Sequence, residues 1–306
     1  MNCKGIIITT AIVVIIGIIA IVTYEIKVGF KKKIYMNLQP NAFDDQYMGC
    51  EEDMMKKAEE LLAKERKVDA QLNDVWEKAE KRRESLLLNF NRRPIEKPFE
   101  IAVIAYTDPD SKAKIPFYSK FNENVRTCCS STDDYMKSFH FKAFHFYLTR
   151  AIQKLGGKCI PVYRGIKHKV YPDNTGEMRF GQFASSSKNI NVARDYSKSS
   201  GTLFHFTTCL GAHIEHLSYN KSQQEVLVPP YAVFSISTFK TNGLNTIHLQ
   251  NEATCSNFNC AYLRGKTKNE CPSNSAPGNI LAWSGHLTPL PLFGLLTLLL
   301  QEWLYL

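Results

Sequence analysis

The apolar and polar positions divide the chain into a helical part and, after it, a part made of short strands. In residues 45–88 apolar side chains recur mostly at spacings of three and four with charged residues between them, which predicts amphipathic helix. Residues 135–155 follow several residues that can cap a helix, and Gly156 and Gly157 end the run, so we predict a second long helix there. The short apolar run of residues 101–106 predicts a buried strand.

After residue 157 the pattern changes to short runs of β-branched and aromatic residues, most of them separated by turn residues, which is typical of strands. The predicted strands cover residues 159–163, 179–185, 202–208, 225–228, 231–237, 246–249 and 259–263. We therefore predict an α+β fold in which an α-rich N-terminal half, residues 34–157, packs on a β-sandwich formed by residues 158–270.

Both ends of the chain carry apolar segments with the layout of targeting signals. Residues 5–22 are almost wholly apolar and follow Lys4, so residues 1–33 indicate a signal peptide or a retained signal-anchor. Near the other end, small residues at 274–276 precede a spacer (277–286) and an apolar tail, which is the layout of a glycosylphosphatidylinositol signal, although Gln301 and Glu302 interrupt the tail. We therefore assign residues 271–306 to a spacer and an anchor signal, with an ordinary apolar segment as the alternative. We expect a protein that is secreted or attached to the outer face of the plasma membrane, by a C-terminal lipid anchor or an N-terminal anchor.

Composition narrows the classes of partner. The chain has 306 residues, of which 44% are hydrophobic, and a formal net charge of +9. This charge suits an anionic ligand such as a dinucleotide, or an acidic cell surface, while a solvated basic face is the alternative. No stripe of Lys and Arg with interleaved aromatic residues is present in the sequence, so we do not expect nucleic-acid binding.

Nine cysteines in an exported chain imply disulfides, but their spacing alone does not decide the pairing. No pair of cysteines has the C-x-x-C spacing of a zinc site, and His140 and His145 are five residues apart rather than on one helix face. We therefore expect no metal. The adjacent pair Cys128-Cys129 has no explanation from the sequence.

Three short segments occur in order within the predicted β part, each at the start or end of a predicted strand. They are Tyr163-Arg164-Gly165, Phe183-Ala184-Ser185-Ser186-Ser187 and Gln223-Gln224-Glu225-Val226-Leu227-Val228-Pro229-Pro230. Together they resemble the arginine–serine–glutamate signature of the vertebrate ecto-ADP-ribosyltransferases. The similarity covers roughly residues 40–270 and includes Arg179-Phe180-Gly181-Gln182 ahead of the serines.

This resemblance implies a domain at residues 34–270 with the ADP-ribosyltransferase fold, NAD as substrate, a surface or extracellular protein as acceptor, and a monomer. It implies that Arg164, Gly165 and Ser185 bind NAD and that Glu225 is the catalytic carboxylate, with Ser185 and Arg164 also in the catalytic set. Breaking the nicotinamide–ribose bond places oxocarbenium-like charge on the ribose, which a nearby carboxylate stabilises, while a cation holds the anionic dinucleotide. The resemblance also implies two disulfides, one between Cys159 and Cys209 and one between Cys50 and a late cysteine, for which we expect Cys260.

One position departs from the family pattern. Arginine-specific members carry Glu-x-Glu where this chain has Gln223-Gln224-Glu225. An amide cannot pair with a guanidinium as an anion or act as a base, so we expect Glu225 to support NAD hydrolysis with weak or absent transfer to arginine. Bacterial toxins with Gln-x-Glu modify other side chains, asparagine among them, which leaves a different acceptor open. The alternatives are a catalytically quiet surface antigen or binding module on the same fold, and an unrelated anchored adhesion domain.

The sequence contains a single N-glycosylation sequon, Asn220-Lys221-Ser222. It lies three residues before Gln223, in the loop expected to face the acceptor. We expect Asn220 to carry a glycan there, which would obstruct large protein substrates.

Overall fold

The computed structural model describes residues 33–87, 95–109 and 113–264, together with Ile15. The helices in this part of the chain are α1 Glu51–Val68, α2 Ala70–Leu87, α3 Lys97–Tyr106, α4 Phe117–Thr127, α5 Thr132–Ser138, α6 Lys142–Leu155, α7 Ile190–Ser197 and α8 Ala261–Arg264. The strands are β1 Ile34–Met36, β2 Ile160–Ile166, β3 Val170–Pro172, β4 Glu177–Arg179, β5 Ala184–Ser187, β6 Thr202–Thr208, β7 Ala212–His213, β8 Glu225–Val228, β9 Ala232–Asn242 and β10 Leu244–Thr254. A 3₁₀ helix, Lys221–Gln223, precedes β8.

Eight strands form a mixed sheet in the order β4-β9-β10-β6-β2-β5-β8-β7, while β1 pairs in parallel with β3. In the larger sheet β10 and β6 are parallel, and the other neighbours are antiparallel. Strands β2 and β5 are paired only at Tyr163 and Ser187, so these two strands separate on either side of that pair. The α+β fold with an α-rich N-terminal half is confirmed.

The two faces of β5 and β8 belong to different cores, because successive side chains of a strand point to opposite faces. Phe183 and Leu227 join the aromatic cluster of the helices, in which the rings of Phe121 and Phe183 stack with centroids 5.6 Å apart. Val226 and Val228 join a second cluster formed by the strands. Glu225 alternates in phase with Leu227, so its side chain starts on the face that the helices cover.

The predicted strand at residues 101–106 is wrong, because these residues form the C-terminal part of α3. Every residue from Phe99 to Tyr106 is buried, and Glu100 is paired with Arg83 of α2 at 2.6 Å. A helix buried on all sides has no polar face, so its apolar run has no helical period that distinguishes it from a strand.

The single helices predicted at residues 45–88 and 135–155 are each two helices. The first pair begins at Glu51 and is interrupted at Asp69. The second is interrupted after Ser138, where the Glu65 carboxylate accepts hydrogen bonds from the backbone N–H groups of Ala143 (2.8 Å) and Phe144 (3.3 Å) at the start of α6. A cap from a distant helix is invisible in the local pattern.

Two predicted strands also need correction. The run at residues 179–185 contains two separate strands, β4 and β5, which have four other strands between them in the sheet. The run at residues 259–263 leads into α8, whose start is fixed by the buried Asp45 carboxylate. That carboxylate accepts hydrogen bonds from the N–H groups of Cys260 (2.9 Å) and Ala261 (2.8 Å).

Covalent and ionic links tie the first described residues to the sheet and to α8. The disulfides Cys50–Cys260 and Cys159–Cys209, the two pairs expected, are present, and Cys128 is bonded to Cys129. The fully buried Arg179 is paired with the fully buried Asp44 at 2.5 Å, and its guanidinium also donates to backbone carbonyls.

The expected terminal signals lie outside the described residues. Among the residues that the structure describes, none of the helices has both the length and the apolar character needed to cross a membrane.

Candidate active site

The carboxylate of Glu225 is buried at the start of β8, with only 6% of the residue exposed. It accepts hydrogen bonds from the hydroxyl of Ser218, at 3.2 Å, and from the Ser185 side chain. Burial raises the pKa of Glu225, while these two hydrogen bonds and the charge of Arg164 lower it to a smaller extent. The site therefore holds a desolvated carboxyl group that keeps some of its anionic character through specific partners.

Arg164 reaches from β2 across to β5. Its Nη1 donates a hydrogen bond to the backbone carbonyl of Ser185 at 2.6 Å, and its guanidinium carbon lies 5.4 Å from the ring centroid of Phe180. Within the described chain, the buried Nε of Arg164 has no hydrogen-bond partner. Burial lowers the pKa of Arg164, and the nearby Tyr106 and Glu225 oppose that shift. Arg164 is thus a fixed, partly desolvated cation with a donor left for an anionic ligand.

Ser185 lies between these two residues, and the helical half fixes its strand. The hydroxyl of Tyr106, at the end of α3, donates to the carbonyl of Phe183 at 3.1 Å and accepts from the Asn122 amide at 2.9 Å. The Asn122 oxygen accepts from the Phe183 N–H at 3.2 Å. The Ser185 side chain lies near the Tyr106 hydroxyl, and burial raises the pKa of Tyr106 to about 12, so it remains neutral. Sequence reasoning missed Tyr106 and Asn122 because neither belongs to a recognisable motif.

Gln223 ends the 3₁₀ helix and lies nearer the surface than Glu225. Its amide nitrogen donates to the hydroxyl of Tyr196, on α7, at 3.1 Å. Its backbone carbonyl accepts from the Ser187 hydroxyl at 2.6 Å. Gln224 then takes a left-handed backbone conformation, with φ of 45°. The structure thus brings Arg164, Ser185 and Glu225 together and places Gln223 beside them on a separate turn.

The segment that carries Ser218 is a part of the site that the sequence did not reveal. Ser218 is 2% exposed. Arg82 of α2 donates to the carbonyls of Ser218 (3.2 Å) and Tyr219 (3.4 Å), and its guanidinium carbon lies 4.1 Å from the Tyr219 ring centroid. The Tyr219 N–H donates to the Thr107 hydroxyl at 3.3 Å. A lone serine in a loop gives no sequence signal, because the residues that hold its segment, Arg82 and Thr107, lie far away in the sequence.

Gly165 has a packing role in the structure. A Cβ atom at this position would lie 1.7 Å from the backbone oxygen of Ala193, so α7 packs directly on the backbone of β2. Its expected contact with NAD stays a prediction.

The expected absence of a metal site also stays a prediction, although the described residues include no group of three or more His, Cys, Asp or Glu side chains that could hold a metal ion. His145 is a core residue whose Nδ1 lies 2.8 Å from the Tyr47 hydroxyl. Burial lowers the pKa of His145 to about 3, so this ring is neutral. His140 is exposed.

Comparisons with known proteins show which family the chain resembles. Residues 36–257 match the model of the NAD:arginine ADP-ribosyltransferase family. The chain is 40% identical to ecto-ADP-ribosyltransferase 5 of Bos taurus over 249 residues, which cover 78% of this chain and 77% of the relative. It is 37% identical to T-cell ecto-ADP-ribosyltransferase 2 of Rattus norvegicus over 253 residues, or 80% of this chain and 86% of that one.

Solved structures of one relative are similar in fold. The crystal structure of the mono-ADP-ribosyltransferase ART2.2 superposes with a TM-score of 0.66 at 38% identity, covering 75% of this chain and 99% of that one. A mutant of ART2.2 in complex with NAD superposes with a TM-score of 0.65 at 37% identity, with the same coverage. From the family match over most of its length and from these relatives, the chain belongs to the NAD:arginine ADP-ribosyltransferase family.

Proposed function

We propose that this protein is a cell-surface mono-ADP-ribosyltransferase that cleaves the nicotinamide–ribose bond of NAD, with Glu225 as its catalytic carboxylate. The observation that carries the proposal is the buried Glu225 carboxylate, hydrogen-bonded to Ser185 and Ser218, beside an Arg164 side chain bonded to the same strand. The names of the relatives as ecto-enzymes support the cell-surface location, together with the expected leader and the expected lipid anchor.

Each group has a role that follows from its chemistry. Arg164, with its unpartnered Nε, would bind the anionic part of NAD. Glu225, in its desolvated position, would stabilise the positive charge that develops on the ribose as nicotinamide leaves. Ser185 would hold the carboxylate in place and contact the dinucleotide. Nicotinamide leaves as a neutral molecule, so these residues suffice for the bond cleavage without a metal.

Gln223 would decide what receives the ADP-ribose. Its amide donates to Tyr196, which leaves the amide oxygen as an acceptor for an N–H group of the incoming side chain. An uncharged amide neither pairs with a guanidinium as an anion nor removes its proton. Transfer to arginine would therefore be weak, with release of ADP-ribose to water as the competing reaction and an uncharged amide side chain as an alternative acceptor.

The test of the carboxylate is nicotinamide release from NAD by the purified protein. Glu225→Gln keeps the shape and one acceptor oxygen but removes the charge, so we expect the rate to fall at least about 100-fold, as when one electrostatic stabiliser is removed from an active site. Glu177→Gln is the matched control, since Glu177 begins β4 at the far edge of the sheet, and it should keep the unmutated rate. Equal rates for the Glu225 variant and the unmutated protein would refute the assignment, and NAD binding without consumption would favour the binding module.

The test of acceptor selection is Gln223→Glu, with transfer of labelled ADP-ribose to a small guanidino compound as the readout. We expect this variant to gain transfer, because a carboxylate at this position can pair with the guanidinium. Gln224→Glu adds the same charge one residue further along, on the left-handed residue, and should gain none. Strong transfer to arginine by the unmutated protein, or no gain in Gln223→Glu, would contradict the proposed role of Gln223.

A further inference from the structure

A solvent-exposed asparagine with a glycosylation sequon lies beside the proposed catalytic carboxylate. Asn220 is exposed and caps the 3₁₀ helix that ends at Gln223. Its side-chain oxygen accepts hydrogen bonds from the backbone N–H of Ser222, at 3.1 Å, and from the Ser222 hydroxyl, at 2.6 Å. Both bonds use the oxygen atom, so the amide nitrogen, to which an N-linked glycan is attached, is not used in holding the turn.

Two hydrogen bonds connect the Asn220 backbone to the carboxylate. The Asn220 N–H donates to the Ser218 hydroxyl at 3.3 Å, and that hydroxyl donates to Glu225 Oε2 at 3.2 Å. The Asn220 nitrogen therefore lies no more than 6.5 Å from the carboxylate oxygen. Ser218 and Glu225 are buried while Asn220 is exposed, so this turn runs between solvent and the buried pair.

The side chain expected to meet the acceptor lies on the same turn. Gln223 follows Asn220 by three residues, and its amide is held against Tyr196, a ring that is 48% exposed. A glycan is large, hydrated and confined to the surface. Attached at Asn220, it would occupy the solvent that a folded protein must enter to bring a side chain to Gln223.

We propose that Asn220 carries an N-linked glycan and that this glycan limits the size of the acceptor, so that NAD, water and small acceptors reach Glu225 whereas folded proteins are kept away. In the attachment step the Asn220 amide nitrogen loses a proton and bonds to the anomeric carbon of a lipid-pyrophosphate-linked oligosaccharide, and the lipid pyrophosphate leaves. The size limit rests on the proposed function, because it requires an acceptor site at Gln223.

The experiment uses the full chain expressed in mammalian secretory cells in three forms. Ser222→Ala removes the sequon but keeps the bond between the Asn220 oxygen and the backbone N–H of residue 222, and Ser222→Thr keeps both the sequon and a hydroxyl. We measure the mass of each form before and after amidase deglycosylation, the release of nicotinamide from NAD, and the labelling of cell-surface proteins from labelled NAD.

We expect a mass loss on deglycosylation for the unmutated and Ser222→Thr forms and none for Ser222→Ala. Nicotinamide release should agree within about twofold among the three, as for a surface substitution. Protein labelling should be about tenfold higher or more in Ser222→Ala and after deglycosylation, since a steric obstacle against one class of partner has been removed.

The possible failures are separable. No mass loss in the unmutated form overturns the glycan, and a mass loss with equal protein labelling in all forms overturns the size limit. NAD consumption with no protein labelling in any form overturns it too. If no form consumes NAD, the proposed function fails and the size limit fails with it, while the mass measurement still decides the glycan.

Discussion

Gly165 provides a direct test of how α7 is held beside the site. The perturbation is Gly165→Ala. The added Cβ would lie 1.7 Å from the backbone oxygen of Ala193, 2.7 Å from the carbonyl carbon of the same residue and 2.9 Å from the backbone nitrogen of Ser197. All three are backbone atoms of α7, so rotating a side chain cannot relieve the contact.

The magnitude follows from these distances. Cβ atoms essentially never approach other heavy atoms within 3.0 Å, so β2 and α7 must separate by more than 1 Å. Overpacking a well-packed region costs about 1–3 kcal/mol, and we expect the upper end because backbone is displaced. In a domain of this size each kcal/mol lowers Tm by about 2–4 °C, so the expected fall is roughly 6–12 °C.

The assay is thermal unfolding with and without NAD. Gly176→Ala is the control: Gly176 has a φ of +73° and nothing within 4 Å of its added Cβ. The stability of this variant should fall only by the cost of placing an alanine in the left-handed backbone conformation, about 1 kcal/mol. Because Tyr196 on α7 is bonded to Gln223, displacement of α7 should also weaken the site.

One result would refute this steric reasoning. Suppose that Gly165→Ala unfolds at the same temperature as Gly176→Ala, yet NAD no longer raises that temperature. Gly165 would then contact the ligand and would not be needed for the close packing of α7 on β2.

Other perturbations probe the buried acids. Burial raises the pKa of Glu225 in the folded protein above 4.5, so the contribution of Glu225 to folding stability is full below pH 4.5 and is lost as pH rises through the folded pKa. At pH 8 the Glu225→Gln variant should therefore unfold at a higher urea concentration than the unmutated protein, and a lower urea midpoint would contradict this. Burial raises the pKa of Glu65 from 4.5 to about 7, which corresponds to roughly 3 kcal/mol of folding free energy lost between those pH values. Glu65→Gln should therefore reduce the pH dependence of the urea midpoint over that range, and an unchanged dependence would argue against this. Ser218→Ala should shift the acid limb of nicotinamide release to higher pH, because a bond that lowers the pKa of Glu225 is lost, and Ser218→Thr should restore it; identical profiles would exclude this positioning role.

The three residues proposed for the site from the sequence lie on neighbouring strands. Arg164, Ser185 and Glu225 belong to β2, β5 and β8, which are neighbours in the sheet. The type of a residue and its position in a strand are local properties of the sequence. The order of the three segments along the chain supplied the family resemblance. The direct contacts that join the three side chains then follow from the pairing of the strands.

The supporting residues could not be predicted, because their roles depend on contacts between distant parts of the chain. Ser218, which donates to Glu225, also has its backbone carbonyl bonded to Arg82 of α2, 136 residues away in the sequence. The break between α5 and α6 goes with a carboxylate on α1, 78 residues before the N–H group it caps. Tyr106 was assigned to a strand because a fully buried helix has no polar face to reveal its period.

The backbone between Gln223 and Glu225 places two residues that are close in sequence in different surroundings. Gln224 has a φ of 45°, so the chain reverses its local course between a 3₁₀ turn near the surface and a buried strand. The amide of Gln223 is therefore bonded to Tyr196 in contact with solvent, whereas the carboxylate of Glu225 is bonded to the buried hydroxyl of Ser218. In the proposed function, a change at position 223 alters what the acceptor meets without altering the desolvation of the carboxylate. The proposal therefore predicts that bond cleavage and acceptor choice are separable by mutation: Gln223→Glu should change the fate of ADP-ribose and leave the rate of nicotinamide release unchanged.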